Sequence, residues 1–283
     1  MAHLILQAPF INQSNIETIA GAVNANGVQQ LTSPTAVRLL DVNISHKQTV
    51  QELCERMRMD YAFIENISKL SDMKILAMDM DSTLINIECI DEIADIAGRK
   101  EQVAAITEAA MRGEIKDFSE SLNRRVQMLE GVPEDALERV YEERLQLNPG
   151  ADKLISTARR HGLKTLLVSG GFTFFTNRLK ERLNIDYCYA NTLEVVDGKL
   201  TGKVLGSIVD GAKKAKLVRD LANKLDANKN QIITVGDGAN DLLMMAESEY
   251  CVAYRAKPIV QQQANYALNF AGLDAIINWF RLI

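Results

Sequence analysis

The stretch ILAMDMDST, at residues 75–83, joins a short apolar run to two carboxylates. Such a run is typical of a strand that is buried on both faces of a parallel sheet. Asp79 and Asp81 lie two residues apart, so both side chains can face one crevice at the end of the strand. Carboxylates held this close repel each other, which predicts a bound divalent cation or a carboxyl that stays protonated. Both arrangements suit phosphate-ester cleavage, in which one carboxylate attacks phosphorus and the other protonates the leaving group.

Two more apolar runs end in the same way. TLLV at 165–168 leads into SGG at 169–171, and IITV at 232–235 leads into GDGAND at 236–241. A fourth run, YCVAY at 250–254, predicts another strand. Because the carboxyl ends of parallel strands meet at one crevice, these segments predict an α/β fold with a Rossmann-like parallel sheet and a site at its edge.

The segment 86–161 separates the first run from the second and shows helical periodicity. It is too long for a plain crossover between neighbouring strands. We therefore expect a helical cap at about 86–149, inserted into a core that consists of residues 71–85 and 150–283. A cap over the crevice would exclude water from the chemistry.

Residues 1–70 predict a small α+β domain that precedes the core. Strand-like and helical segments alternate there in a β-α-β-β-α-β order with one weak strand, which is a ferredoxin-like or ACT-like arrangement. By fold analogy alone, such domains bind amino acids or pair subunits, so we expect a regulatory role or a homodimer formed through this domain. The chemical motifs all lie beyond Lys74, so we do not expect the domain to contribute to chemistry.

Composition narrows the classes of partner. The net charge of -5 and the pI near 5.4 argue against a general electrostatic hold on nucleic acid or on an anionic membrane. No stretch approaches the roughly 18 consecutive apolar residues that a membrane-spanning helix needs. The four cysteines form no CxxC pair, which favours reduced thiols over zinc or a disulfide framework. We therefore expect a cytoplasmic protein that acts on a small molecule.

Charge counting at the crevice favours a metal ion. With Asp81 protonated, three negative carboxylates remain there: Asp79, Asp237 and Asp241. One Mg²⁺ and one lysine would balance these charges before a dianionic phosphate arrives, and Mg²⁺ prefers oxygen ligands. The hydroxyl of Ser169 and the amides of Gly170 and Gly171, expected at the start of a helix, can donate hydrogen bonds to phosphate oxygens.

On these motifs the chain resembles the haloacid dehalogenase-like phosphatases, from about residue 72 to its end. The DxDxT element of that family is matched at residues 79–83, its serine element at Ser169 and its acidic element at residues 236–241. Lys214 matches the lysine element, with Lys213 as an alternative. Four elements in this order are much more specific than the DxD pair alone.

The resemblance implies a role for each matched residue. Asp79 would be the nucleophile and Asp81 the general acid and base. Mg²⁺ would be held by Asp79, by the backbone carbonyl of Asp81 and by Asp237, with Asp241 orienting these ligands. Ser169, Gly170 and Lys214 would contact the phosphate, and Asn240 would approach it.

Further residues match the branch of this family that acts on phosphoserine. In that branch a glutamate follows the nucleophile and meets the substrate ammonium, which implies this role for Glu88. An arginine of the cap clamps the substrate carboxylate, which implies this role for Arg125. Met111 and Phe118 would line the pocket. The resemblance thus implies a Mg²⁺-dependent phosphatase that acts through an aspartyl-phosphate.

Two other functions stay open at this point. A phosphatase with the same mechanism could act on phosphohomoserine or another small phosphomonoester, or pass phosphate to an acceptor alcohol. A protein of another class would sense amino acids through its first 70 residues and carry a degenerate phosphatase body. The intact set of Asp79, Asp81, Lys214 and Asp237 argues against the second alternative.

Overall fold

Two β-sheets organise the computed structural model, which describes residues 2–111, 114–115 and 117–283 apart from the side chain of Met111. The smaller sheet has four antiparallel strands in the order β2-β3-β1-β4. Its elements follow the chain as β1 Ala2–Gln7, α1 Gln13–Ala22, β2 Gly27–Gln30, β3 Ala36–Val42, α2 Lys47–Met57 and β4 Asp60–Ile64. The predicted β-α-β-β-α-β order is confirmed, and the weak strand is the short, mostly exposed β2.

The larger sheet carries the predicted parallel arrangement. Its seven strands lie in the order β11-β10-β9-β5-β6-β7-β8. The pair β7–β8 is antiparallel, and every other pair of neighbouring strands in this sheet is parallel. The strands are β5 Ile75–Met78, β6 Lys164–Phe172, β7 Tyr187–Val196, β8 Lys199–Leu205, β9 Ile232–Gly236, β10 Tyr250–Tyr254 and β11 Tyr266–Leu268. Strand β5 lies between β6 and β9, so the three motif-bearing strands are neighbours and end at one edge. The α/β fold is thereby confirmed.

Helices cover this sheet and form the cap. The helices of the core are α7 Ala151–Arg160, which precedes β6, and then α8 Thr173–Leu183, α9 Gly211–Lys224, α10 Leu242–Met245 and α11 Pro258–Gln263. The cap, inserted after β5, contains α3 Cys89–Ile96, α4 Lys100–Met111, α5 Phe118–Gln127 and α6 Asp135–Arg139. An inserted helical cap is thus confirmed.

The β7–β8 hairpin ties the cap to the edge of the large sheet. Its two-residue loop is Asp197-Gly198, and both residues have positive φ, 50° and 70°, as the favoured type I′ hairpin turn requires. On the cap side, the amide of Gly131 donates to the carbonyl of Leu200 at 2.8 Å, and the amide of Leu200 donates to the carbonyl of Val132 at 2.8 Å. The cap is therefore held by the hairpin as well as by the two chain connections after β5 and before α7.

The small sheet packs directly against the large unit. Ile5, Ala62 and Ile64, on the sheet face away from α1 and α2, belong to the same hydrophobic cluster as Trp279. At the start of β4, buried Asp60 accepts hydrogen bonds from three successive backbone amides that follow β11, at 2.7, 3.0 and 2.7 Å. The first 70 residues therefore share part of their core with the catalytic unit, which the sequence did not predict.

Candidate active site

Asp79 stands at the end of β5, where its backbone is still held by the neighbouring strand. Its amide donates to the carbonyl of Val235 at 3.0 Å, and its carboxylate accepts from the amide of Met80 at 2.7 Å. Burial raises the pKa of Asp79 well above its usual range, the carboxylate of Asp241 adds to the rise, and Lys214 opposes it. The buried carboxylate therefore needs positive charge beside it to stay ionised.

Asp81 contacts both the start of the cap and strand β6. One of its carboxyl oxygens accepts from the amide of Cys89 at 3.0 Å, and the other lies so close to Gly171 that a Cβ there would collide with it. Burial, and next the nearby Glu88, raise the pKa of Asp81 to about 7. A carboxyl with this pKa can both give and accept a proton near neutral pH, as a general acid and base must.

Lys214 is a fully buried ammonium between two carboxylates. Its Nζ lies 2.9 Å from Oδ1 of Asp79 and 2.8 Å from Oδ1 of Asp241. Burial alone would lower the pKa of Lys214, but Asp241 and Asp79 raise it above its ordinary value. Lys214 is thus the lysine that contacts the carboxylates, whereas the amide of Lys213 donates to the helix-capping carboxylate of Asp210.

The loop after β9 holds Asp237 and Asp241. Asp237 accepts from the hydroxyl of Thr83 at 2.8 Å through Oδ1, and burial followed by Asp241 raises its pKa to about 7. Oδ2 of Asp241 accepts from the amides of Asp237 and Gly238 at 3.2 and 3.1 Å, while Oδ1 contacts Lys214. Because both oxygens of Asp241 are already engaged, this side chain is placed to orient Asp237 and Lys214.

The carboxylates of Asp79, Asp237 and Asp241 form a cluster that fits a divalent cation. One oxygen of each residue lies within 4.8 Å of the others. When ionised, they carry three negative charges against the single positive charge of Lys214, which leaves two charges uncompensated in a buried place. Carboxylate oxygens are the ligands that hard divalent cations prefer. The carboxyl of Asp81 lies outside this cluster, so its predicted contribution through the backbone carbonyl stays a prediction.

Ser169 lies on β6, the strand that pairs with β5. Its side chain is fully buried, and Oγ accepts from the amide of Gly171 at 2.8 Å. The expectation that this segment starts a helix was wrong, because β6 continues to Phe172 and α8 begins only at Thr173. The strand pairing is irregular between Val168 and Phe172, which turns this segment towards the crevice.

Glu88 and Arg125 approach the crevice from the cap side. Glu88 accepts from the hydroxyl of Ser82 at 2.6 Å, and Arg125 on α5 donates through Nε to the carbonyl of Ser121 at 3.4 Å. Burial lowers the pKa of Arg125, whereas the carboxylates of Asp91, Glu88 and Asp81 act to raise it. Glu88 and Arg125 therefore bring a negative and a positive group to the same side of the crevice.

Of the two predicted pocket residues Met111 and Phe118, the structure describes the side chain of Phe118 only. Phe118, the first residue of α5, lies over Gly170, where an added Cβ would come within 2.9 Å of the ring. Only a glycine at position 170 leaves room for the Phe118 ring, because any larger residue would bring its Cβ too close. The side chain of Met111 lies outside the described part of the chain, so its predicted role is not addressed by the structure.

Asn240 lies in the loop that carries Asp237 and Asp241. Its side-chain oxygen is close enough to Gly238 that a Cβ on the glycine would collide with it, and its backbone carbonyl packs against Gly211 at the start of α9. The residue is therefore beside the carboxylate cluster, and its contact with phosphate stays a prediction.

Asn148 and Asn191 support the site, although the sequence analysis missed both. The side-chain amide of Asn191 donates to the carbonyl of Gly170 at 2.7 Å, and its oxygen accepts from the amide of Val209 at 2.8 Å. The buried Asn148 donates from one nitrogen to three carbonyls of the turn after Asp79, at 3.3, 2.9 and 2.9 Å, namely those of Ser82, Thr83 and Ile85. That turn contains Ser82 at φ 55°, a left-handed conformation that is costly for a serine and has to be held in place.

We expect Asn148→Ala to lower the stability by about 1–3 kcal/mol, because buried carbonyls lose their donor. Since the turn places Asp81, kcat should also fall, by about tenfold or more. Thermal unfolding and steady-state phosphate release measure the two effects. Asn86→Ala is the matched control. Asn86 is exposed, and the substitution removes one hydrogen bond, which the Asn86 side chain accepts from the amide of Gln146. Equal effects of the two substitutions on kcat would show that Asn148 does not position the turn.

Among the described residues, no helix combines the length and the apolar character that crossing a membrane requires.

Comparison with known proteins agrees with this geometry. The family model of haloacid dehalogenase-like hydrolases matches residues 76–246. The phosphoserine phosphatase of Polaromonas sp. (strain JS666) is 55% identical over 213 residues, which cover 74% of this chain and 90% of that protein. The crystal structure of a probable phosphoserine phosphatase from Vibrio cholerae, in unliganded form, has 38% identity and a TM-score of 0.85, covering 98% of this chain and 85% of the other.

A substrate-bound phosphoserine phosphatase complex has 36% identity and a TM-score of 0.69, covering 74% of this chain and 99% of the other. The part of the chain that this complex leaves uncovered is about as long as the small N-terminal unit. This chain is thus similar to these proteins both in sequence and in fold. This chain belongs to the haloacid dehalogenase-like hydrolases, among the phosphoserine phosphatases.

Proposed function

We propose that this chain hydrolyses O-phospho-L-serine to L-serine and phosphate, the last step of serine biosynthesis. The observation that carries the proposal is the presence of two opposed sets of charged groups. Asp79, Asp81 and Lys214 lie on the sheet side of the crevice, and Glu88 with Arg125 lies on the cap side. The first set suits the phosphoryl group, and the second suits the ammonium and the carboxylate of an amino acid.

In the first half of the reaction, Asp79 attacks phosphorus and the bond from phosphorus to the serine oxygen breaks. Asp81, protonated at the start, transfers its proton to the departing serine oxygen. The pKa of about 7 for Asp81 supports this role, because an ordinary aspartate would have lost the proton. Lys214, 2.9 Å from Asp79, offsets negative charge beside the attacking carboxylate.

In the second half, the aspartyl-phosphate on Asp79 is hydrolysed. The ionised Asp81 takes a proton from a water molecule, whose oxygen attacks phosphorus, and the bond to Asp79 breaks to release phosphate. Asp81 thereby regains its proton for the next turnover. We assign to the hydroxyl of Ser169, the amide of Gly170 and the ammonium of Lys214 the stabilisation of the charge that builds up on the phosphoryl oxygens.

We propose Mg²⁺ as the ion of the carboxylate cluster, held by Asp79, Asp237 and the backbone carbonyl of Asp81. When bound, it supplies positive charge against the phosphoryl oxygens. The all-oxygen donor set and the two uncompensated charges support this choice. Phosphate release from phosphoserine should stop when divalent cations are chelated and return with added Mg²⁺.

Three finer statements belong to the same proposal. We propose a domain of residues 1–70 followed by the phosphatase domain 71–283, whose cap spans about 86–149, because the small sheet ends at Ile64 and β5 begins at Ile75. The exposed edge strand β2 offers a surface for a homodimer through the small domain. The four free cysteines support a reducing location such as the cytoplasm.

The substrate is tested by Arg125→Ala. If Arg125 clamps the substrate carboxylate with two charged hydrogen bonds, kcat/KM for phosphoserine should fall about 100-fold or more. An aryl phosphate without a carboxylate should lose only a few-fold, since it never used the clamp. Arg124→Ala is the matched control, because Arg124 is the neighbouring exposed arginine that pairs with Glu120 on the surface of α5.

The comparison of substrates separates the alternatives. Equal losses on phosphoserine and on the aryl phosphate would assign Arg125 to phosphate binding or to structure and would remove the support for an amino-acid substrate. Faster turnover of phosphohomoserine than of phosphoserine by the unmodified protein would replace the proposed substrate while keeping the mechanism. Arg125→Lys should rescue poorly, since an ammonium cannot reproduce the guanidinium fork.

A further inference from the structure

The small sheet contains a buried guanidinium that lacks an anionic partner in the described part of the chain. Arg38 on β3 is 8% exposed. Its Nη1 donates to the neutral side chain of Gln29 at 3.1 Å, and its buried Nε has no hydrogen-bond partner among the described residues. A buried charge is normally paired, because removing it from water costs several kcal/mol that only a partner repays.

Strand register places a second unpartnered group on the same sheet face. Arg38 is directly opposite Ile5 on β1, and His3 precedes Ile5 by two residues, so the side chains of His3 and Arg38 lie on the same face. Nδ1 of His3 is also buried without a hydrogen-bond partner among the described residues. Ile5 shows which face this is, since it packs against the catalytic unit.

Arg281 adds a further cation at this corner. Its amide donates to the carbonyl of Ser68 at 2.9 Å, and Ser68 follows β4, the strand that pairs with His3. Burial lowers the pKa of Arg38, and the positive charge of Arg281 lowers it further. Backbone bonds thus place Arg281 beside the end of β4, on the side of the small sheet where His3 pairs with Ile64.

This corner is distinct from the active site and borders exposed residues. Arg281 accepts from the amide of Leu70 through its carbonyl at 2.8 Å, just before the chain enters β5, whereas Asp79 follows the opposite end of that strand. Gln29, which bonds to Arg38, and Arg281 are both exposed. A guanidinium with free donors is suited to bidentate contact with a carboxylate or phosphate group.

We propose that Arg38, His3 and Arg281 form a binding site for a small oxyanion, a carboxylate or a phosphate group, between the small sheet and the C-terminal segment. The bound anion supplies the missing negative charge for Arg38 and an acceptor for its Nε. Since the site joins both units, its occupation strengthens their contact.

The site can be tested by NMR of the histidine rings, because the chain has only three histidines. Inorganic phosphate and formate are titrated separately into the metal-free protein. The His3 resonances should shift and saturate with at least one of the two anions, whereas His46, before α2 and away from this face, should not. Saturation with phosphate alone or with formate alone identifies the group that the site prefers.

Arg38→Met supplies the matched variant, since it keeps most of the side-chain volume and removes the charge. It should abolish the His3 shift and leave phosphatase activity unchanged. Without added anion its melting temperature should equal or exceed that of the unmodified protein, because an uncompensated charge has been removed. The same His3 shift in Arg38→Met, parallel shifts of His3 and His46, or no saturating shift with either anion would overturn the proposal.

Discussion

Asp79→Asn should reduce phosphoserine turnover by at least about 10⁴-fold, because an amide cannot act as the nucleophile that a carboxylate is. Asp79 is 5% exposed at the end of a buried strand, and Asn has nearly the same shape, so the fold should be retained. The substitution also removes the charged partner of Lys214, which still contacts Asp241. Phosphate release measures turnover, and circular dichroism reports on the fold.

Trapping of the covalent intermediate makes this test specific. Substrate labelled in its phosphoryl group, mixed briefly with enzyme and quenched in acid, should leave label on Asp79 in the unmodified protein and none in Asp79→Asn. Asp152→Asn, at an exposed position in the first turn of α7, is the control and should keep both turnover and label. Near-normal turnover by pure, folded Asp79→Asn protein would rule out the aspartyl-phosphate mechanism.

The sequence predicted the sheet well because its signals are local. Each catalytic strand is a short apolar run followed at once by polar residues, so Asp79, Ser169 and Asp237 could be assigned to strand ends at one shared crevice without knowing the structure. The structure places Asp79 directly after β5, Ser169 on β6 and Asp237 directly after β9, and these three strands are adjacent.

The supporting asparagines could not be predicted for a physical reason. Asn148 and Asn191 act through side-chain bonds to backbone groups that are far away in sequence, and backbone groups leave no sequence signal. Asn148 is followed by Pro149 and Gly150, so the segment looked only like a break between helices. The prediction of a helix start at Gly170 was also wrong, because β6 continues through this residue. An irregular strand can present its amides in the same way as the start of a helix.

Asp60 shows the same limit for the contact between the two units. An aspartate at the start of a strand predicts an exposed polar residue, yet it is 3% exposed and its oxygens accept from the amides of Asn269, Phe270 and Ala271. Burial raises the pKa of Asp60, whereas these three hydrogen bonds and the charge of Arg255 lower it. One buried carboxyl thus satisfies three amides that would otherwise lose their acceptors when the units pack together.

Asp60→Ala should therefore lower the free energy of unfolding by about 3–5 kcal/mol, the usual cost of breaking a buried charged network. Asp60→Asn, which keeps one acceptor oxygen, should lose less. Urea unfolding measures the cost, and Glu65→Ala, at an exposed position just beyond β4, is the control that should change it little. Phosphoserine turnover by the folded fraction should stay within a few-fold of normal, because Asp60 contacts the segment after β11 and not the crevice. Unchanged stability of Asp60→Ala would mean that the two units hold together without this carboxyl, and a large loss of turnover in folded protein would mean that the first 70 residues help to shape the active site.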